Sequence, residues 1–165
     1  MNTRGFENSP QPNPERTLTK EVNGQPVEYA IQTNEHENNI KLFDSEKNEI
    51  GKLIFSIPSK YPEKFRVQDI RINSEVRGSN LGIELYKDLV TLAKQKDMKS
   101  IVSANHVSFA ASALWKKLQD EGYQVVVNPE AEIQFKDFCD KYDRGQRENG
   151  DIMVKGTESV FELIL

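Results

Sequence analysis

The run Val76-Arg77-Gly78-Ser79-Asn80-Leu81-Gly82 constrains this chain more than any other, because it joins an apolar extended segment, residues 67–72, to an amphipathic helix. Gly78 and Gly82 permit a tight turn and let a ligand approach the backbone closely. The unpaired N–H groups that open the following helix then face whatever lies beyond the turn, which suits an anion such as phosphate. Arg77 adds a permanent positive charge. Two glycines in a strand-to-helix turn also arise for steric reasons alone, so the flanking segments carry the decision.

Those segments alternate in the manner of a sheet. Val27, Tyr29 and Ile31 interleave with polar neighbours, a polar turn follows at 34–39, and a second extended run covers 40–43. A further turn at 44–48 leads to Leu53, Phe55 and Ile57, ended by Pro58, so a three-stranded antiparallel meander is expected. In the next strand Phe65 and Val67 stand on one face while Ile70 and Ile72 take the opposite parity. A one-residue bulge near Gln68 and Asp69, or burial on both faces, explains the switch.

Beyond the turn, Leu85, Tyr86, Leu89, Leu92 and Ala93 share a helical face. A short strand at Ile101 and Val102 precedes Ser108, a natural N-cap for a helix from Phe109 to about Glu121, which Gly122 stops. Val125, Val126 and Val127 form another strand and residues 160–165 a last one. This order predicts a mixed α/β (α+β) sheet with packed helices. Residues 128–158 form a charged insert with a short helix over 133–142, and residues 1–26, rich in proline and polar side chains, read as a flexible tail ahead of one domain at 27–165.

Composition narrows the function classes. With 165 residues the chain suits one domain with a real core, and its net charge of −4 disfavours nucleic-acid binding. Cys139 is the only cysteine, which rules out an internal disulfide or a thiolate metal cluster and points to a reducing, cytoplasmic setting. No apolar run approaches the roughly 20 residues that span a bilayer, so no membrane association is expected. His36 falls in a turn, where a solvated histidine is the ordinary reading, and His106, near the end of the fifth strand, is either a loop histidine without chemistry or a group placed to approach a substrate.

From residue 27 to 127 the order of elements resembles the GNAT superfamily, N-acyltransferases that use acyl-CoA, and the specific part of the resemblance is 70–123. The family's Arg/Gln-x-x-Gly-x-Gly/Ala turn is matched by Arg77-Gly78-Ser79-Asn80-Leu81-Gly82, with Asn80 replacing the middle glycine, as a residue tolerant of positive φ can. A second block, Ser108-Phe109-Ala110-Ala111-Ser112-Ala113-Leu114-Trp115-Lys116-Lys117-Leu118 and then Gly122-Tyr123, is similar to the family's Asn-x-x-Ala-x-x-Leu-Tyr-x-x-Leu-Gly-Phe signature, with three extra residues before the glycine. Trp115 stands where that signature has tyrosine.

The resemblance implies a mostly antiparallel central sheet with helices on both faces, and acetyl-CoA as donor with no metal. It implies pantetheine binding by the backbone of Ile70 and Ile72 and by Ser108, Ala111 and Trp115, and pyrophosphate binding by Val76, Arg77, Gly78, Ser79, Asn80, Leu81 and Gly82. The acceptor it implies is a primary amine, which must lose a proton before attack. Asp69, matching a position where several members carry Glu or Asp, is the first candidate base and Glu75 the second.

The departing CoA thiolate takes a proton most readily from a phenol, whose pKa is about 10. Indole donates a hydrogen bond but is no ordinary acid. Trp115 therefore stabilises the thiolate by donation, or Ser112, Tyr123 or a water supplies the proton, or the chain is a weak or inactive module that binds CoA or a protein partner. The carboxylates of the insert, Glu130, Glu132, Asp137, Asp140 and Asp143, suit a cationic acceptor or a solvated helix face equally. A monomer or a homodimer is expected.

Overall fold

A computed structural model of the protein describes residues 14–76 and 80–165. The chain runs β1 (Glu15–Val22), β2 (Gln25–Asn34), β3 (Asn39–Phe43), β4 (Glu49–Ser56), β5 (Lys64–Ile72), α1 (Leu81–Gln95), β6 (Ser100–Val102), β7 (His106–Ser108), α2 (Phe109–Asp120), β8 (Gln124–Val127), α3 (Glu132–Asp143), β9 (Asp151–Met153) and β10 (Phe161–Ile164). The main sheet has eight strands in the order β1-β2-β3-β4-β5-β6-β10-β8, and β7 and β9 form a separate two-stranded ribbon. Among the described residues only β5 and β6 pair in parallel, across the connection that contains α1. The mixed, mostly antiparallel sheet is the expected one.

The meander is present over β2, β3 and β4, and a strand precedes it where a tail was expected. Residues 15–22 pair with β2 throughout, from Glu15 opposite Gln32 to Val22 opposite Gln25. Asn23 (φ 52°) and Gly24 (φ 77°) make the two-residue turn, both in the left-handed region that such hairpins demand. Inward-facing positions on β1 include Arg16 and Lys20 beside Leu18, which is why the segment reads as polar. Residues 1–13 lie outside the described chain.

β5 carries the bulge: Ile54 faces Asp69 while Phe55 faces Val67, leaving Gln68 unmatched. The extra residue restores Phe65, Val67, Ile70 and Ile72 to one face, which resolves the parity switch in favour of a bulge.

The helices take one side of the sheet rather than both. Arg16, whose register places it beside Ile31, reaches Asp88 of α1, so α1 covers the face bearing Ile31, Leu42 and Leu53. Trp115 of α2 stacks on Phe161, which shares a strand face with Leu163; Leu163 lies opposite Ile101, and Ile101 opposite Phe65. Phe135 of α3 meets the same Phe161 ring edge-on. A single buried cluster results, running from Tyr29 to Leu163. The reason is economy of apolar surface: the other face carries Glu28, Lys41, Lys52 and Arg71 among its apolar residues and offers no continuous stripe for a helix.

Candidate active site

The parallel pairing of β5 with β6 extends over Lys64, Phe65 and Arg66 only. Beyond it the bulge turns β5 away, and the strands part around a cavity of about 310 Å³. One wall is Val67, Gln68, Asp69 and Ile70; the other is Ser103, Ala104, His106 and Ser108, with Tyr86, Ala111 and Trp115 from the helices. A second cavity of about 400 Å³ continues past Ile70, Ser108 and Ala111, which line both, to Ile72, Val76, Asn80, Leu81, Gly82, Leu114 and Lys117. Together they make a groove from the N-terminus of α1 to the gap between β5 and β6.

Each wall has a local cause. Ser108 caps α2, its Oγ accepting from the Ala111 N–H at 3.1 Å. Asn80 holds the left-handed conformation, φ 60° and ψ 25°, at the N-cap of α1. Its Oδ1 accepts a 2.8 Å hydrogen bond from Lys117 Nζ, which brings a cation from α2 to the opening turn of α1. A side-chain carbon at Gly82 would meet Leu114 at 3.0 and 3.1 Å, so glycine there lets α1 and α2 approach along the groove.

Of the expected site residues, Asp69, Ile70, Ser108, Ala111 and Trp115 meet at the inner cavity, and Ile72, Val76, Asn80, Leu81 and Gly82 at the outer one. Arg77, Gly78 and Ser79 lie outside the described residues. Glu75 stays exposed in a 3-10 turn, Ser74–Val76, and lines neither cavity. Tyr123 follows the far end of α2 near Lys87, packed against the core, and lines neither cavity. Ser112 is sealed in the core at 0% exposure, its Oγ without a hydrogen-bond partner. Asp69 reaches the cavity with its Oδ2 already accepting from Arg71 Nε at 2.6 Å. The insert carboxylates Glu130, Glu132, Asp137, Asp140 and Asp143 line neither cavity; Asp137 and Asp143 pair with Lys141 and Lys116 instead.

Two pairings come to the site unannounced by the sequence. Trp115, 1% exposed, stacks on Phe161 and meets Tyr86 edge-on with ring centroids 5.3 Å apart. Burial raises the Tyr86 phenol well above the usual tyrosine range, and the hydrogen bond from the Trp115 side chain offsets only part of that. The phenol is therefore protonated at neutral pH. Second, the insert returns as β9 and pairs with β7, Ser108 facing Asp151 and His106 facing Met153. His106 Nε2 and Asp151 Oδ2 then stand 3.0 Å apart on the cavity wall. Tyr86 was visible as a helix-face residue whose partner across the groove is the Trp115 that displaces tyrosine. The His106–Asp151 pair, 45 positions apart, had no local signal.

No family model matches the chain, and no curated protein matches it. Among solved structures it is similar to an acetyltransferase from Bacillus cereus, at 15% identity over 93% of this chain and 76% of that one, with a TM-score of 0.48. Diaminobutyrate acetyltransferase from Paenibacillus lautus, solved with its substrate and coenzyme A, is 15% identical over 78% of this chain and 69% of that one, TM-score 0.47. N-acetylglutamate synthase from Neisseria gonorrhoeae, solved with coenzyme A and N-acetyl-glutamate, is 12% identical over 77% of this chain, TM-score 0.46, and this chain spans only 25% of it. At these identities the likeness is one of fold.

Proposed function

We propose that the protein is an acyl-CoA-dependent N-acyltransferase that moves an acetyl group from acetyl-CoA to a primary amine by direct attack. The observation that carries this reading is the parting of β5 from β6 over a groove that begins at the N-terminus of α1. Over Val67 to Ile70, β5 has no partner strand on its β6 side among the described residues, and that edge offers main-chain groups to an amide-rich arm. Gly82 keeps the floor of the groove clear, and Lys117 supplies a cation to the diphosphate end.

The bound thioester supplies an activated acyl carbon. The residues present do the rest: Ile70, Ser108 and Ala111 line the passage between the cavities, and Tyr86 donates the proton that the departing sulfur takes up. Trp115 acts as the positioning residue for that phenol, which accounts for indole where the family signature has a phenol of its own. The amine nitrogen attacks the acyl carbon, the C–N bond forms, and the C–S bond breaks with its electron pair leaving on sulfur.

A second reading, a catalytically weak module that binds CoA or a protein partner, draws support from the Arg71–Asp69 ion pair, which occupies the carboxylate expected to act as base. Calorimetric titration with CoA, followed by acetyl-CoA turnover against a panel of primary amines, separates them. CoA binding with turnover supports the enzyme, binding without turnover the module, and no binding removes both. We place the protein in the cytoplasm, in keeping with its single Cys139, whose thiol burial pushes up to about 11 and keeps unreactive.

A further inference from the structure

We infer that His106 is the base that takes the proton from the acceptor amine, with Asp151 of the insert as its positioning partner. The inference rests on the acyltransferase reading and deepens it, naming the group that Asp69 does not supply.

The geometry comes from the β7–β9 ribbon. Its alternation buries Val107 and Ile152, at 6% and 0% exposure, and sets His106, Ser108 and Asp151 on the opposite face, where with Val107 they line the cavity. His106 Nε2 stands 3.0 Å from Asp151 Oδ2, which places the carboxylate beside that edge of the ring and leaves the Nδ1 edge for the amine. Among the described residues Nδ1 has no hydrogen-bond partner. The pair comes from β7 and β9 and Tyr86 and Trp115 from α1 and α2, so base and acid reach the cavity from separate elements. The titratable groups that share the cavity with His106 are Asp151 on β9, Asp69 on β5 and Tyr86 on α1.

Asp69 is the weaker candidate for a physical reason. Its Oδ2 already accepts from Arg71 Nε at 2.6 Å, so a guanidinium stands where a cationic ammonium would have to come. Among the described residues no cation pairs with His106, whose side chain is 53% exposed, so an ammonium can reach it. The step balances: the ammonium gives one proton to Nδ1, which passes it to water; the freed lone pair forms the C–N bond; the sulfur leaves with the C–S electrons and takes the Tyr86 proton; and the second proton, shed by the nitrogen as it becomes an amide, restores the Tyr86 phenol.

The test uses the full chain with acetyl-CoA and putrescine, tyramine, lysinamide or a free-N-terminus peptide as acceptor, read by release of the CoA thiol. His106→Gln is expected to bind CoA as tightly as the parent and to lose ~100-fold in kcat, the scale of a positioned general base. The acid limb of the parent's pH–rate profile should vanish with it, whereas Asp151→Asn should keep the limb and displace it. Methoxyamine, already unprotonated at neutral pH, should be acetylated by His106→Gln with a much smaller loss than an alkylamine, a difference that a merely structural role does not produce. Parent-like rates in His106→Gln, or equal losses with both kinds of amine, overturn the assignment while CoA binding and parental turnover keep the enzyme reading standing. Absence of turnover by the parent with every amine overturns both.

Discussion

Ser112 shows how a single side chain separates packing from chemistry. Its hydroxyl is buried within α2 with no hydrogen-bond partner, in a helix whose motif made it a candidate proton source. An unpaired buried hydroxyl costs stability, so Ser112→Ala should leave the melting temperature unchanged or raise it, by the equivalent of up to ~1 kcal/mol, with turnover intact. A sharp fall in turnover in that variant would return the hydroxyl to the mechanism. Tyr86→Phe should do the opposite: CoA affinity holds while kcat falls ~10²-fold, the lower end for a lost general acid, in steady-state assays with acetyl-CoA. Asp69→Asn should cost far less, because Arg71 already occupies that carboxylate.

At the scale of elements, the groove depends on how closely α1 and α2 approach. Gly82→Val places a carbon at about the 3.0 Å separation from Leu114 and extends past it, so the helices must part or the groove must fill. The expected cost is ~1–3 kcal/mol in thermal or denaturant unfolding, together with loss of CoA binding by calorimetry. A variant that melts lower yet binds CoA normally would show that Gly82 serves helix packing only. The strand elements around it were legible: alternation marked the meander, and the parity switch at Gln68 marked the bulge. β1 was legible as well, in Asn23-Gly24, the pair most suited to a two-residue hairpin, but proline and polar composition masked it. Its inward charges make sense only with α1 opposite.

That latch is a property of the whole molecule. Glu84 of α1, 9% exposed, meets Lys20 Nζ at 3.2 Å and Arg16 Nη2 at 3.1 Å. Burial pushes its pKa upward, and the hydrogen bonds from Lys20 and Arg16 outweigh that, leaving it below the usual glutamate value. Asp88, beside the same Arg16, goes the other way because burial dominates. A carboxylate with a depressed folded pKa contributes stability that is present above its unfolded value and is lost as pH falls through the folded one. Glu84→Gln should therefore melt lower than the parent at neutral pH, and the gap should close as the pH falls below about 4. A gap that stays constant with pH would mean that β1 is held by Leu18 and backbone pairing alone.

Local order in this chain is written in short-range pattern, since strand alternation, helix faces, the Ser108 cap and the turn before α1 each depend on residues within a few positions of one another. The helix count, the meander and most of the groove's residues follow from that. Which side of the sheet the helices choose, how Tyr86 comes to Trp115, and why Tyr123 and Glu75 stand apart from the groove depend on distances between elements, which close packing sets and no local spacing encodes. The same holds for His106 and Asp151: the insert must return as β9 and pair with β7 before an imidazole and a carboxylate far apart in the chain can share one cavity wall.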